Sequence, residues 1–495
     1  MLSKSRFLSG KQCELKLFYD IFRRDLRTET PSHLQQFYRA GHEVGKLAHQ
    51  LFPGGVDASP DEPNQLAQGI AKTQTYLAQG IKTIYEAAFS AEGVYSAIDI
   101  LHQNNDAWYA IEVKSSSSVK GYYLIDAALQ YWVMNKAGIQ IEKFFIFHVD
   151  NSYVKRSPFS VKDFFVKEDI TQEVLRLQPS IEADIARFRK MISDELQPQK
   201  QIGPHCNEPF SCDYRHHCWK HVPEKSVFEL YKARGKDWAL YNRGIFALAD
   251  ITDDEGLSHW QRLQVQGARE PFTYCDKESI RNFFMNFQFP LYFFDFETIA
   301  PVIPLLEGTR PFQQLPFQYS LHVVRSDLSV IHHEFLADPE QFCDPRFPDP
   351  RLCLLQQLSE EIGEEGSIVA YNATFEKMIL GELATVFPDY SEQISDWKKR
   401  FVDLLQVFSN GWYYKSEMEN SASIKKVLPA VAPEFNYKDL PVSNGGDASH
   451  LFLRLVLGEF KDEEKTMREN LLRYCERDTE GMVIIWKFLR NQIQN

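Results

Sequence analysis

Apolar and polar positions alternate along the chain in short stretches that predict strands, broken by longer stretches of helical period. Residues 83–89 (TIYEAAF), 95–101 (YSAIDIL), 108–115 (WYAIEVKS) and 143–149 (KFFIFHV) read as strands, and 124–138 (LIDAALQYWVMNKAG) reads as a helix before the last of them. A helix is also predicted near the amino terminus, over 34–52 (LQQFYRAGHEVGKLAHQLF). From 221 to 287 the pattern shortens into small helices joined by Gly turns, which predicts a helical connector. Beyond 288 come strands at 291–298 (LYFFDFET), 316–324 (PFQYSLHVV) and 330–337 (VIHHEFLA), a helix at 352–363, a strand at 366–372 (GSIVAYN) and then mostly helices. The expected fold class is therefore α/β, as two cores spanning 1–220 and 288–495 with the connector between them. A length of 495 residues suits two or three domains rather than one.

Composition narrows the function classes. With 44% apolar residues and 14% aromatics the chain is globular rather than disordered. The opening MLSKSRFLSGKQCELKLF has no sustained apolar segment, and no uncharged apolar run is long enough for a bilayer, so a soluble, cytoplasmic protein is expected. A net charge of −13 argues against passive coating of nucleic acid. It leaves room for a nuclease, because clustered acids that bind metal add to that charge. Eight cysteines in a long intracellular chain are not expected to form a disulfide framework.

The segment LYFFDFET sets Asp295 and Glu297 two positions apart in an apolar strand, hence on one face. Two adjacent buried carboxylates need a cation or a shared proton. Glu376 lies just inside a predicted helix that follows Asn372, and Tyr474 and Asp478 stand at i and i+4 on another. Four acids from three segments suit Mg²⁺ or Mn²⁺. Two such ions activate a water and stabilise the leaving oxygen of a phosphodiester, with Tyr474 orienting the water. The order D-x-E, then Asn372-x-x-Phe375-Glu376, then Tyr474-x-x-x-Asp478 resembles the DnaQ-like (DEDD) three-prime to five-prime exonucleases of the tyrosine subclass. That resemblance implies an RNase H-like fold over 288–495, with Asp295, Glu297, Glu376 and Asp478 as metal ligands and Tyr474 positioning water. Glu376 departs from the Asp usual in the family, and Asp403 in RFVDLLQVF is a supporting candidate.

A second set of residues lies in AIDIL and AIEVKS: Asp99 on one strand, then Glu112 and Lys114 sharing a face of the next. Paired carboxylates bind a divalent ion, and an adjacent ammonium steadies charge developing on phosphate. Alone, E-x-K reads equally as a salt-bridged surface strand. With Glu86 before it and Gln130 on the helix after it, the order resembles the RecB-like branch of the PD-(D/E)XK superfamily, which implies a restriction-endonuclease-like α/β core. By that resemblance Asp99 and Glu112 are metal ligands, Lys114 is catalytic, Gln130 contacts substrate or water, and Glu86 is an auxiliary acid. Gly45 stands where relatives carry His, and Met134 where they carry Tyr. His42 and His49 are substitutes for that His, or plain helix-surface residues.

Cys206, Cys212 and Cys218 are evenly spaced, and with Cys13 they make four thiols, enough for an iron–sulfur cluster. One early and three late cysteines around such a core resemble the cluster-bearing AddB-type and CRISPR-adaptation nucleases, which implies a [4Fe–4S] cluster. Zinc, with His205, His216 or His217 replacing a thiol, is the alternative. Cys275, Cys343, Cys353 and Cys475 read as ordinary reduced thiols.

As a whole, the chain resembles a bacterial family of predicted RecB-family nucleases of DUF2779 type. The resemblance implies a metal-dependent nuclease with two phosphodiester-cleaving centres, acting on DNA in preference to RNA in repair or defence, alongside a helicase or other repair partner. The competing expectations are a nucleic-acid end-binding scaffold with inactive centres, and a protein with one active centre, the carboxyl-terminal one.

Overall fold

The structure is a computed structural model that describes residues 1–28, 35–252, 256–460 and 462–494. It divides into two compact units, one of Met1–His221 with Val302–Phe312 and one of Val222–Pro301 with Gln313–Asn495. Each is a mixed α/β structure with its own core. The first residue of the predicted amino-terminal helix, Leu34, lies outside the described residues; the helix itself runs over Gln35–His49.

In the first unit, strands β1 (Leu2–Ser3), β2 (Val56–Asp57), β3 (Thr83–Ala91), β4 (Val94–Asn104), β5 (Ala107–Lys114), β6 (Ile141–Val149) and β7 (Phe165–Asp169) form one sheet in the order β2-β3-β4-β5-β6-β7, with β1 beside β4. β3, β4 and β5 make an antiparallel meander, whereas β6 runs parallel to β5. A parallel neighbour needs a crossover, and the helix Gly121–Lys136 supplies it. That helix buries Ala127, Ala128, Leu129, Val133 and Met134 in a core with Ile84, Ile98, Phe144 and Phe188. Val302 and Ile303 pack against a smaller cluster containing Phe147 and Tyr153, and the Lys155 amide donates to the Thr309 carbonyl at 2.9 Å.

In the second unit, β9 (Leu291–Ile299), β10 (Leu315–Val324), β11 (Val330–Leu336), β12 (Ser367–Ala370) and β13 (Phe401–Asp403) form a sheet in the order β11-β10-β9-β12-β13. The first three strands are antiparallel; β12 runs parallel to β9, and β13 to β12. Alternation along central β9 sends Tyr292, Phe294 and Phe296 into a core with Leu354, Leu358, Ile379 and Leu383. Phe293, Asp295 and Glu297 therefore face the opposite side. There the helix Glu464–Gln494 packs on the sheet, its Trp486 ring 6.0 Å from that of Phe293.

The stretch expected as a connector falls within the second unit. Val227, Leu230, Leu248, Ile251 and Val265 form a small core there, the Trp260 indole donates to the Phe408 carbonyl at 2.6 Å, and β8 (Thr273–Cys275) pairs with β14 (Tyr413–Lys415). Three-residue strands such as β8, β13 and β14 are too short to show a period, which is why the sequence pattern did not reveal them. No described helix is long and apolar enough to cross a membrane.

Gly366 leads into β12 at φ +94°, and a Cβ there would collide with the Pro290 carbonyl oxygen. Gly458 also has a positive φ, +72°, but nothing lies within 4 Å of its would-be Cβ. Gly366→Ala is expected to cost about 2–4 kcal/mol in chemical denaturation and Gly458→Ala about 1 kcal/mol. Equal costs would show that the collision relaxes freely.

Candidate metal centres

In the second unit the sheet and two helices bring four acids together. β9 supplies Asp295 and Glu297, the first turn of the helix Thr374–Val386 supplies Glu376, and Glu464–Gln494 supplies Asp478. Glu297, Glu376 and Asp478 are buried. Burial first, then the charges of Asp478, Glu297 and Glu376, push the Asp295 carboxyl well above the usual range. Burial and Asp478 push Glu297 up to about 8, against the pull of Lys425, and burial pushes Glu376 up to about 8. Asp478 is raised by burial despite the phenols of Tyr437 and Tyr474 and the nearby Lys425. Without a cation these groups are forced to hold protons. Glu376 Oε2 is buried without a hydrogen-bond partner, an arrangement that suits a metal-ligand atom.

Tyr437 donates its hydroxyl to Asp478 Oδ1 at 2.6 Å, and burial, then Asp478 and Glu297, push the Tyr474 phenol up. Lys425 Nζ sits 5.2 Å from the Tyr474 ring centre and donates to the Ser443 carbonyl at 2.8 Å. Asn372 takes φ +80°, and its amide donates to Asp403 Oδ1 at 2.9 Å; the same oxygen accepts from the Leu405 amide at 3.1 Å. Asn372 and Asp403 thus shape the turn that presents Glu376.

Cys475, read from sequence as an ordinary thiol, is buried beside Asp295 and Glu297, with one ligand atom of each within 4.8 Å of the others. Its position three residues before Asp478, on the same helical face, was the available signal. Lys425 and Tyr437 stand outside any recognisable pattern, and sequence reasoning missed both.

In the first unit the meander gathers Glu86, Asp99 and Glu112. The β3–β4 ladder skips the pair Glu86–Asp99, where Glu86 turns to φ +52°. Asp99 Oδ2 accepts from the Val113 amide at 2.6 Å. Lys114 Nζ donates to Glu112 Oε1 at 2.6 Å and to Asp126 Oδ2 at 3.0 Å, and Lys4 Nζ reaches the same two acids at 2.8 and 3.3 Å. Gln130 Nε2 donates to Glu112 Oε2 at 2.9 Å, while its buried Oε1 has no partner. Burial alone would raise Glu112, but Lys114 and Lys4 outweigh it and hold the carboxyl at about 2. Burial and neighbouring acids push Asp99 up to about 7 and Glu86 up to about 8. All five predicted residues meet here. Lys4 and Asp126 were missed, although Asp126 lies four residues before Gln130 on one helical face.

His42 is exposed, and His49 stacks on Tyr85 at 3.9 Å between ring centres. Met134 is fully buried in the core. Neither histidine joins the acid cluster through any hydrogen bond or ion pair among the described residues.

Cys13, Cys206, Cys212 and Cys218 line one recess together with Lys16, Tyr19 and His205. Cys13 ends the helix Lys4–Gln12 and starts Glu14–Phe22, and the Cys212 amide donates to the Cys206 carbonyl at 2.8 Å. Burial, then the other three thiols, push Cys218 up to about 11. Thiols gathered in this way suit a metal that would take them as thiolates. His205 Nε2 lies 3.8 Å from Cys206 Sγ, whereas His216 and His217 do not line the recess.

Residues 292–423 match a family described as "Domain of unknown function (DUF2779)", a span that holds Asp295, Glu297 and Glu376. The chain is 29% identical over 220 residues to "Uncharacterized protein MG366 homolog" of Mycoplasma pneumoniae, covering 41% of this chain and 32% of the relative. It is 24% identical over 380 residues to "Uncharacterized protein MG366" of Mycoplasma genitalium, covering 68% of this chain and 56% of that protein. A third relative, "Uncharacterized protein UU173" of Ureaplasma parvum, is 26% identical over 221 residues, 41% of this chain and 31% of that protein. The chain thus spans less than two thirds of the length of each of these relatives, and what the matches establish is a DUF2779 segment and similarity to these mycoplasmal proteins.

Proposed function

We propose that the protein is a metal-dependent nuclease: a DnaQ-like exonuclease of RNase H-like fold in the second unit, and a RecB-like PD-(D/E)XK domain in the first. The convergence of Asp295, Glu297, Glu376 and Asp478, with Asp295 and Glu297 raised by burial and the neighbouring acids and an unpartnered Glu376 oxygen, carries this reading. The mixed sheet of three antiparallel and two parallel strands around β9 agrees with it. Divalent ions such as Mg²⁺ or Mn²⁺ held by these acids would supply an activated water and charge stabilisation at the leaving oxygen. The chain's own part is positional. The Tyr437 and Tyr474 hydroxyls orient Asp478, Tyr474 keeps its proton and borders the water position, and Lys425 offers a cation to the incoming phosphate. The aromatic body of β9 keeps bulk water from the carboxylates' rear.

The two centres differ in how their charge is balanced. Glu112 already has two ammonium partners, so an ion there competes with Lys4 and Lys114; among the described residues, Lys425 is the ammonium that acts on Glu297 and Asp478. This favours the second unit as the stronger centre. In the first, Asp99 and Glu112 would hold the ion with Glu86 beside them, Lys114 would face the phosphate, and Gln130 would fix Glu112. The four cysteines fit a [4Fe–4S] cluster by donor type and number. Among the described residues no three of their sulfurs lie within 4.8 Å of one another, a wider spread than a single zinc with bonds of about 2.3 Å draws together.

With anaerobically purified protein and Mn²⁺, end-labelled single-stranded DNA is expected to shorten as a ladder from its three-prime end. Asp295→Ala and Glu376→Ala each lower the rate about 100-fold or more, Tyr474→Phe about 10-fold, and Lys114→Ala leaves the ladder intact. Undiminished laddering in Asp295→Ala would overturn the assignment, and tight end binding without cleavage in the wild type would favour a scaffold. RNA in the same assay, degraded more slowly, tests the preference for DNA.

The raised carboxyls fix a pH dependence. Glu297 and Glu376 at about 8 in the folded chain, against an unfolded value near 4.3, make the metal-free fold bind extra protons between those values. Their contribution to stability is therefore lost as pH rises from about 4.5 to about 8. Calorimetry with a chelator is expected to show a falling melting temperature across this window, less steep in Glu297→Gln. Mn²⁺ should restore more at pH 8 than at pH 5.5; a metal effect independent of pH contradicts the proton–metal exchange.

Iron and acid-labile sulfide analysis should find the cluster in wild type and in Cys353→Ser, and its loss in Cys206→Ser. Zinc recovered in place of iron from cells grown with both metals would decide for the alternative.

A further inference from the structure

On the face of the second sheet that the helix Glu464–Gln494 covers, His322 of β10, His332 of β11 and Glu476 of the helix form a group outside the carboxylate centre. One ligand atom from each lies within 4.8 Å of the others. His322 is 7% exposed, its ring stacked on that of His332 at 4.4 Å and 25°. His332 Nδ1 is 3.7 Å from Glu476 Oε1, too long for a hydrogen bond.

A chain of hydroxyls behind the rings decides where their protons sit. Thr479 donates its hydroxyl to the Glu476 carbonyl at 3.1 Å. When that bond takes its one proton, Thr479 Oγ1 accepts from its two other neighbours, His322 Nδ1 at 2.8 Å and Ser320 Oγ at 2.7 Å. Ser320, having given its proton to Thr479, accepts from His332 Nε2 at 2.9 Å. In that arrangement the protons lie on His322 Nδ1 and His332 Nε2, and the lone pairs on His322 Nε2 and His332 Nδ1. Those are the two nitrogens that no hydrogen bond among the described residues occupies. In metal sites, ligating imidazoles are held by such a second hydrogen bond on the far nitrogen.

We propose that His322 Nε2, His332 Nδ1 and the Glu476 carboxylate form a binding site for a zinc-class divalent cation, with a water completing a tetrahedron. The donor set of two imidazoles and one carboxylate suits zinc rather than Mg²⁺. Burial, then His332 and Lys487, push His322 down to about 4, so its ring is neutral and able to ligate at physiological pH. Glu476 is half-exposed and free to swing inward, and Glu334 on β11 stands near both His332 and Glu476 as a further acid. The ion would fasten the helix that carries Tyr474 and Asp478 to β10 and β11, where Ser320 stands opposite Asp295 in the ladder. The proposal does not depend on the nuclease reading.

The test is metal content of the full chain after zinc loading and desalting, in a background of Cys206→Ser with Cys212→Ser to remove thiolate binding. Asp295→Asn in that background is expected to keep one zinc per chain, and both His332→Gln and Glu476→Gln to lose it, each with an unchanged circular dichroism melt before loading. Co²⁺ in place of zinc should give the strong visible bands of a four-coordinate site containing histidine, absent in Glu476→Gln. Equal zinc in all the variants, or loss in Asp295→Asn alone, would overturn the proposal, the latter by assigning the ion to the carboxylate centre.

Discussion

Burial of four clustered carboxylates is the constraint on which the second unit turns. Burial raises the proton affinity of Asp295, Glu297, Glu376 and Asp478, the neighbouring acids raise that of Asp295 and Glu297 further, and a cluster of that kind survives only if the surrounding structure holds it firmly. β9 lies between antiparallel β10 and parallel β12, with Phe294 and Phe296 buried on one side and the helix Glu464–Gln494 packed on the other. The hydroxyls of Tyr437 and Tyr474 and the ammonium of Lys425 offset part of the charge.

The first unit resolves a similar problem in another way. Its central acid, Glu112, is satisfied within the protein by Lys4, Lys114 and Gln130, and only Glu86 and Asp99 keep an unmet demand for positive charge. On the proposed reading, an ion entering this site would displace ammonium groups, whereas one entering the second unit would displace protons, so two centres of similar composition would differ in their dependence on pH and on metal concentration. The cysteine recess adds a third arrangement, in which thiols from the two ends of the first unit's main segment meet.

Sequence alone determined the period-two strands that carry Asp99, Glu112, Asp295 and Glu297, the helices that carry Gln130, Tyr474 and Asp478, and the helix turn that carries Glu376. Those positions follow from local backbone geometry, in which spacing fixes the face. Only the tertiary structure decided which face is buried against what. It set Lys4 against Glu112 across more than a hundred residues, brought Lys425 from the helix Ile424–Val431 and Tyr437 from an irregular segment to Asp478, and turned Cys475 toward Asp295. It also aligned His322, His332 and Glu476 through the protons of Ser320 and Thr479. Such contacts carry no period and no spacing, because they depend on how separate elements pack, and side-chain charge and proton position are settled only after that packing is complete.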